Sequence, residues 1–119
     1  MNKTILILED EPLIAMDLEL AVEDTGHTAV TAIDNDEAAR LIDEHEIDGA
    51  ILDVSLGRNC TCKPTATALD EAGIPFILHT GDLNRVGEHL REIDAPVIAK
   101  PRPADDVVAT LLNLLSQNA

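Results

Sequence analysis

The feature that most constrains this chain is an alternation. Short, unbroken runs rich in Ile, Leu and Val, such as ILIL at 5–8 and GAILD at 49–53, take turns with longer segments of helical period. Runs that are apolar at every position belong to strands covered on both faces, and strand–helix alternation predicts βαβ units around a parallel sheet. Strands are expected at Thr4–Leu8, Thr28–Ile33, Gly49–Asp53, Phe76–His79 and Val97–Ala99. Helices are expected at Pro12–Asp24, Asp36–His45, Thr65–Ala72, Arg85–Glu92 and Ala104–Ser116. Pro12 suits a first helical turn and Gly26 a helix end. In the last helix Val107, Val108, Leu111, Leu112 and Leu115 repeat at helical spacing and form a core face. The expectation is an α/β domain over 1–119, a doubly wound parallel sheet of five strands in the order 2-1-3-4-5 with five helices on its two faces.

Composition narrows the function classes. The 119 residues suit one domain. Phe76 is the lone aromatic residue, so the core must be aliphatic. Twenty-three acids against eight bases give a net charge of −15, which argues against direct binding of nucleic acid or anionic lipid. No run approaches a membrane span, and Thr4–Leu8 is too short for a signal-peptide core, so a cytoplasmic location is expected. Cys60 and Cys62 form a C-x-C pair, too tight for an easy disulfide, and His27, His45, His79 and His89 lack metal-site spacing. Two reduced thiols in a loop are expected.

The charged residues then converge. Glu9 and Asp10 follow the first strand, Asp53 ends the third, Thr80 follows the fourth and Lys100 the fifth, all at carboxyl ends. Ligands of open parallel sheets bind beyond those ends where strand order reverses, here between strands one and three. Carboxylates so placed repel by roughly 4 kcal/mol per pair at 4 Å and an effective dielectric near 20. Hard oxygen donors in need of a cation suit Mg²⁺, and with Lys100 it would balance three acids. Singly, each acid could serve only the following helix's N-terminus, at about 0.3–1 kcal/mol apiece. Glu11 is read in that way.

LILEDEP, ILDVSLG, HTG and VIAKP, in this order and spacing, resemble the receiver domain of two-component response regulators along the whole chain. SLG after Asp53 and GIPFILHTG at 73–81 resemble the FATGUY subgroup. The resemblance implies a flavodoxin-like receiver fold with Asp53 as phosphoryl acceptor. It implies that Glu9, Asp10, Asp53 and the backbone carbonyl of Ser55 hold Mg²⁺, that the Thr80 hydroxyl turns toward the phosphoryl group, and that Lys100 pairs with its oxygens. The phosphoryl group would come from the phosphohistidine of a sensor histidine kinase or histidine phosphotransferase, with slow hydrolysis afterwards, so the protein is a self-modifying phosphoacceptor rather than a conventional enzyme.

Four positions depart from the family. Val97 stands where an aromatic residue usually reports the switch, and Asp82 and Arg102 stand where aromatic residues usually follow Thr-Gly and Lys-Pro. His79 replaces a small or apolar residue. His79, Asp82 and Arg102 are read as solvated loop residues, with a charge-pair switch as the alternative. The first helix carries a second apolar stripe, Leu13, Met16 and Leu20, which either docks a kinase's helical bundle or packs on the last helix. With no effector segment evident, output is expected through protein–protein contact or as a phosphate relay or sink. The alternative is a receiver-like binding module that takes no phosphate. An aspartyl-phosphate phosphatase fits less well, since no second acid lies two residues after Asp53.

Overall fold

The computed structural model describes residues 2–57, 60–81 and 93–117. Five strands and, among the described residues, four helices alternate: β1 (Thr4–Leu8), α1 (Pro12–Asp24), β2 (Thr28–Ala32), α2 (Asn35–Glu44), β3 (Gly49–Asp53), α3 (Lys63–Glu71), β4 (Phe76–Thr80), β5 (Val97–Ala99) and α4 (Ala104–Gln117). The helix expected at 85–92 and the residue Asp82 lie outside the described residues. All strand pairs are parallel, in the order β2-β1-β3-β4-β5. The doubly wound sheet expected from the alternation, and the flavodoxin-like arrangement implied by the resemblance, are therefore observed.

The strands alternate between two cores, as a period of two requires. Leu6, Leu8, Ala50, Leu52 and Leu78 face α2 and α3, meeting Ala38, Leu41, Ala66 and Leu69. Ile5, Ile7, Ile51 and Ile77 face α1 and α4, meeting Leu18, Val22, Val107, Val108 and Leu111. Each fully buried Leu, Ile or Val stabilises the fold by about 1.5–3 kcal/mol. Phe76, 5% exposed, is the only aromatic contributor. At Gly49 a Cβ would sit 3.0 Å from Leu115 Cδ2, so the missing side chain lets α4 lie close on β3.

Several boundaries differ from expectation by a residue or two, for local reasons. Helix α2 starts at Asn35 because Asp34 caps it, accepting from the Glu37 N–H at 2.8 Å, while Glu37 reaches back to the Ile33 N–H at 3.0 Å. Helix α3 starts at Lys63, since Pro64 occupies its first turn, where no N–H is needed. Gly26 and Gly73 end α1 and α3 in the left-handed region, at φ 86° and 73°, which side chains disfavour.

Helix α1 buries Leu18, Ala21 and Val22. Its second stripe stays in solvent: Leu13 is 73%, Met16 48% and Leu20 52% exposed. Leu20 also lines a surface cavity with Pro103, Ala104 and Asp105 at the start of the last helix, so that end of the stripe lies beside α4.

Candidate functional site

Strand geometry delivers the acids. Glu9 follows β1, its N–H still bonded to the Ala32 carbonyl of β2 at 3.0 Å, and Asp53 closes β3 on the face shared with Ile51. Carboxylate oxygens of Glu9, Asp10 and Asp53 lie within 4.8 Å of one another. Glu9 is 1% and Asp53 5% exposed, so neither is merely a solvated charge at a helix start. Glu11, which lacks a side-chain capping bond, is exposed beside them.

Lys100 follows β5 at a cis peptide bond to Pro101. Its Nζ donates to Glu9 Oε1 at 3.0 Å and lies 3.5 Å from Asp53 Oδ1. Thr80 ends β4, buried, its carbonyl accepting the Lys100 N–H at 2.7 Å. The structure therefore brings Glu9, Asp10, Asp53, Thr80 and Lys100 to one edge of the sheet. Ser55 lies two residues past the end of β3 and donates its N–H to Asp53 Oδ1 at 3.3 Å.

Electrostatics make Asp53 unusual. Burial pushes its carboxyl up to about 8; the hydrogen bond and charge of Glu9 add to this, Lys100 opposes it, and Asp10 adds again. The nearby ammonium does not win, because one cation at 3.5 Å faces two further carboxylates and a desolvated site. For Lys100 burial alone would lower the pKa, but the Glu9 hydrogen bond and the charges of Asp53 and Glu9 raise it overall. Three oxygen donors in a pocket short of positive charge fit a hard divalent cation such as Mg²⁺. That fit rests on the donor set itself.

His79 corrects the sequence reading. It is 4% exposed within β4, in register with Asp53, and is no solvated loop residue. Neither ring nitrogen has a hydrogen-bond partner among the described residues. The ring lines a cavity of about 160 Å³ with Ile14, Leu18, Lys100, Pro101 and Ala104. Burial and then the charge of Lys100 push it down to about 4, so it is neutral at physiological pH. Arg102 is exposed, as expected. Both cysteines are free; burial and then the Asp53 charge push the Cys62 thiol up to about 12, leaving it inert, while Cys60 is exposed.

Sequence reasoning missed Asn35 and Thr65. The Asn35 Nδ2 donates to the Thr61 carbonyl at 2.9 Å and its Oδ1 accepts from the buried Thr65 hydroxyl at 2.7 Å, tying α2 to the loop after β3 and to α3. The only local signal was the Asp34 cap, which marks a helix start and says nothing of partners 26 and 30 residues away.

The fold and the acidic edge define a class, the doubly wound domains whose strand ends carry paired acids and a lysine. Solved structures share the fold. The chain is 40% identical to SdrG of Sphingomonas melonis, with a TM-score of 0.79 and 97% of each chain covered. A response regulator receiver protein of Sinorhizobium medicae, 20% identical, shares the fold at a TM-score of 0.86 over 99% of this chain and 98% of that one. Among curated proteins, the phyllosphere-induced regulator PhyR of Methylorubrum extorquens is 36% identical over 118 residues, which is 97% of this chain and 44% of PhyR. The response regulator GtcR of Aneurinibacillus migulanus is 39% identical over 56 residues, 47% of this chain and 23% of GtcR. The chain thus spans less than half the length of these curated relatives. No protein-family model matches it. The chain belongs to the receiver domains of response regulators, the proteins of two-component systems.

Proposed function

We propose that residues 1–119 accept a phosphoryl group on Asp53 from a phosphohistidine of a sensor kinase or histidine phosphotransferase, in a Mg²⁺-dependent step in the cytoplasm. The observation that carries this reading is the cluster of Glu9, Asp10 and Asp53 with Lys100 Nζ 3.5 Å from the acceptor carboxylate. A carboxyl held at about 8 is largely protonated at neutral pH and is a poor nucleophile. Glu9, Asp10, Asp53 and the Ser55 carbonyl would hold Mg²⁺, and that ion would supply the positive charge that favours the ionised carboxylate and screens the incoming phosphate.

Asp53 then attacks phosphorus; an O–P bond forms, the P–N bond to the donor imidazole breaks, and the departing nitrogen keeps the electron pair. Lys100 turns from Glu9 to the phosphoryl oxygens, and the Thr80 hydroxyl donates to another. These groups position and neutralise, which is most of what phosphoryl transfer asks of a protein. The exposed stripe of Leu13, Met16 and Leu20 on α1 serves as the donor's docking face, and the phosphorylated form signals by protein contact or acts as a relay or sink.

Incubation with a small phosphodonor and Mg²⁺, followed by intact mass, tests the reading. Wild type gains one phosphoryl group, and Asp53→Asn or a chelator abolishes the gain. No gain in wild type, together with no Mg²⁺-dependent NMR change on adding fluoroberyllate, overturns it in favour of a binding module.

A further inference from the structure

We infer that Asn35 is a positioning residue for the cation site, acting at a distance through Thr61 on the Ser55 carbonyl. This rests on the reading that Ser55 completes a Mg²⁺ site with Glu9, Asp10 and Asp53. Two short limbs, Val54–Gly57 and Cys60–Cys62, form a small hairpin ladder in which Ser55 and Thr61 are antiparallel partners. The ladder bonds run from Leu56 N–H to the Cys60 carbonyl at 2.9 Å and from Cys62 N–H to the Val54 carbonyl at 3.1 Å. In this pair type the two central residues direct their own N–H and C=O groups away from each other. Ser55 spends its N–H on Asp53, and the ladder leaves its carbonyl unused. The Thr61 carbonyl, pointing the other way, is taken by Asn35.

The clamp is built on a firm base. Asn35 is the first residue of α2, directly behind the Asp34 cap, and the helix is anchored by fully buried Ala38. Thr65, 3% exposed, donates to the Asn35 Oδ1, which fixes the amide's orientation: a flipped amide would turn its oxygen on the Thr61 carbonyl. Only an amide of this length donates to one and accepts from the other. At the end of the first limb, a Cβ on Gly57 would come within 3.7 Å of an Asp10 carboxylate oxygen, so this limb lies against the acid cluster. Asn35 therefore holds one limb of the hairpin to α2, while the other limb carries Ser55, whose N–H is bonded to Asp53, and Gly57 beside Asp10. A cation that tolerates little error in coordination geometry feels any slack in this limb.

The informative variant is Asn35→Asp. It keeps shape and the acceptor for Thr65, removes the donor to Thr61, and adds a negative charge that suits a helix N-terminus and attracts cations. Charge alone predicts tighter Mg²⁺ binding; positioning predicts weaker binding. In Mg²⁺ titrations of the full chain by calorimetry and ¹⁵N NMR, the expected result is affinity lowered about tenfold or more, with faster amide exchange at Leu56 and Cys62. Affinity equal to or tighter than wild type overturns the inference. If Asn35→Asp does not fold, Thr65→Val against Thr65→Ser decides: the inference expects weaker binding for valine with recovery by serine, and equal affinities for the two overturn it. Wild type that binds no Mg²⁺ overturns the underlying site reading, and the inference with it.

Discussion

Asp53 and His79 are partners in register, and burial drives both toward neutrality, the acid up to about 8 and the imidazole down to about 4. The signs for stability are opposite. Without Mg²⁺, Asp53 favours the folded state most below 3.8, and that contribution is lost as pH rises toward about 8. Asp53→Asn should therefore gain stability over metal-free wild type across that window, by about 1–3 kcal/mol at its upper end, in chemical denaturation at several pH values. His79 contributes fully above 6.5, and that is lost as pH falls toward about 4. His79→Leu, which removes two buried nitrogens without partners among the described residues, should match wild type within about 1 kcal/mol or exceed it at neutral pH, with an advantage that grows on acidification. Glu9, Asp10, Asp53 and Lys100 were legible in sequence because a residue just past a buried strand has one place to go. His79 was not, because a histidine before Thr-Gly reads as a strand leaving the core, and nothing local reveals the α1–β5 cavity that holds it. Asn35 was illegible for a different reason: its meaning lies wholly in partners on other elements.

At the scale of elements, periodicity gave all five strands and the sheet order, since continuous apolar runs admit little else. It failed at ends governed by caps and prolines, such as the starts of α2 and α3. Helix α1 carries two apolar stripes, of which one is buried. Changing Leu13 and Leu20 to glutamine should leave stability within about 0.5 kcal/mol. The same pair should slow phosphoryl transfer from a phosphohistidine protein about tenfold while leaving transfer from a small phosphodonor unchanged, as followed by stopped-time mass measurements. Where α4 meets β3, Gly49→Ala forces a methyl against Leu115 and should cost about 1–3 kcal/mol in a denaturant titration.

At the scale of the whole molecule, a net charge of −15 is self-repulsive, and three of its acids lie within 4.8 Å of one another. Metal-free protein should melt higher as NaCl is added, by general screening. MgCl₂ at matched ionic strength should raise Tm further, by mass action on the folded state alone, and Asp53→Asn should lose that extra part while keeping the response to NaCl. Calorimetry is the suitable readout, because the chain has no Trp or Tyr. The Lys100 ammonium, 3.0 Å from Glu9 and 3.5 Å from Asp53, gives this picture a further turn. It is a counter-ion on a leash: present at a fixed local concentration however dilute the surroundings, and unable to be dialysed away. On the proposed function, a receiver wired so would keep these acids neutralised when magnesium is scarce, and would answer only when a mobile cation and a phosphate arrived together, one replacing the lysine at Glu9 and the other giving it somewhere to go.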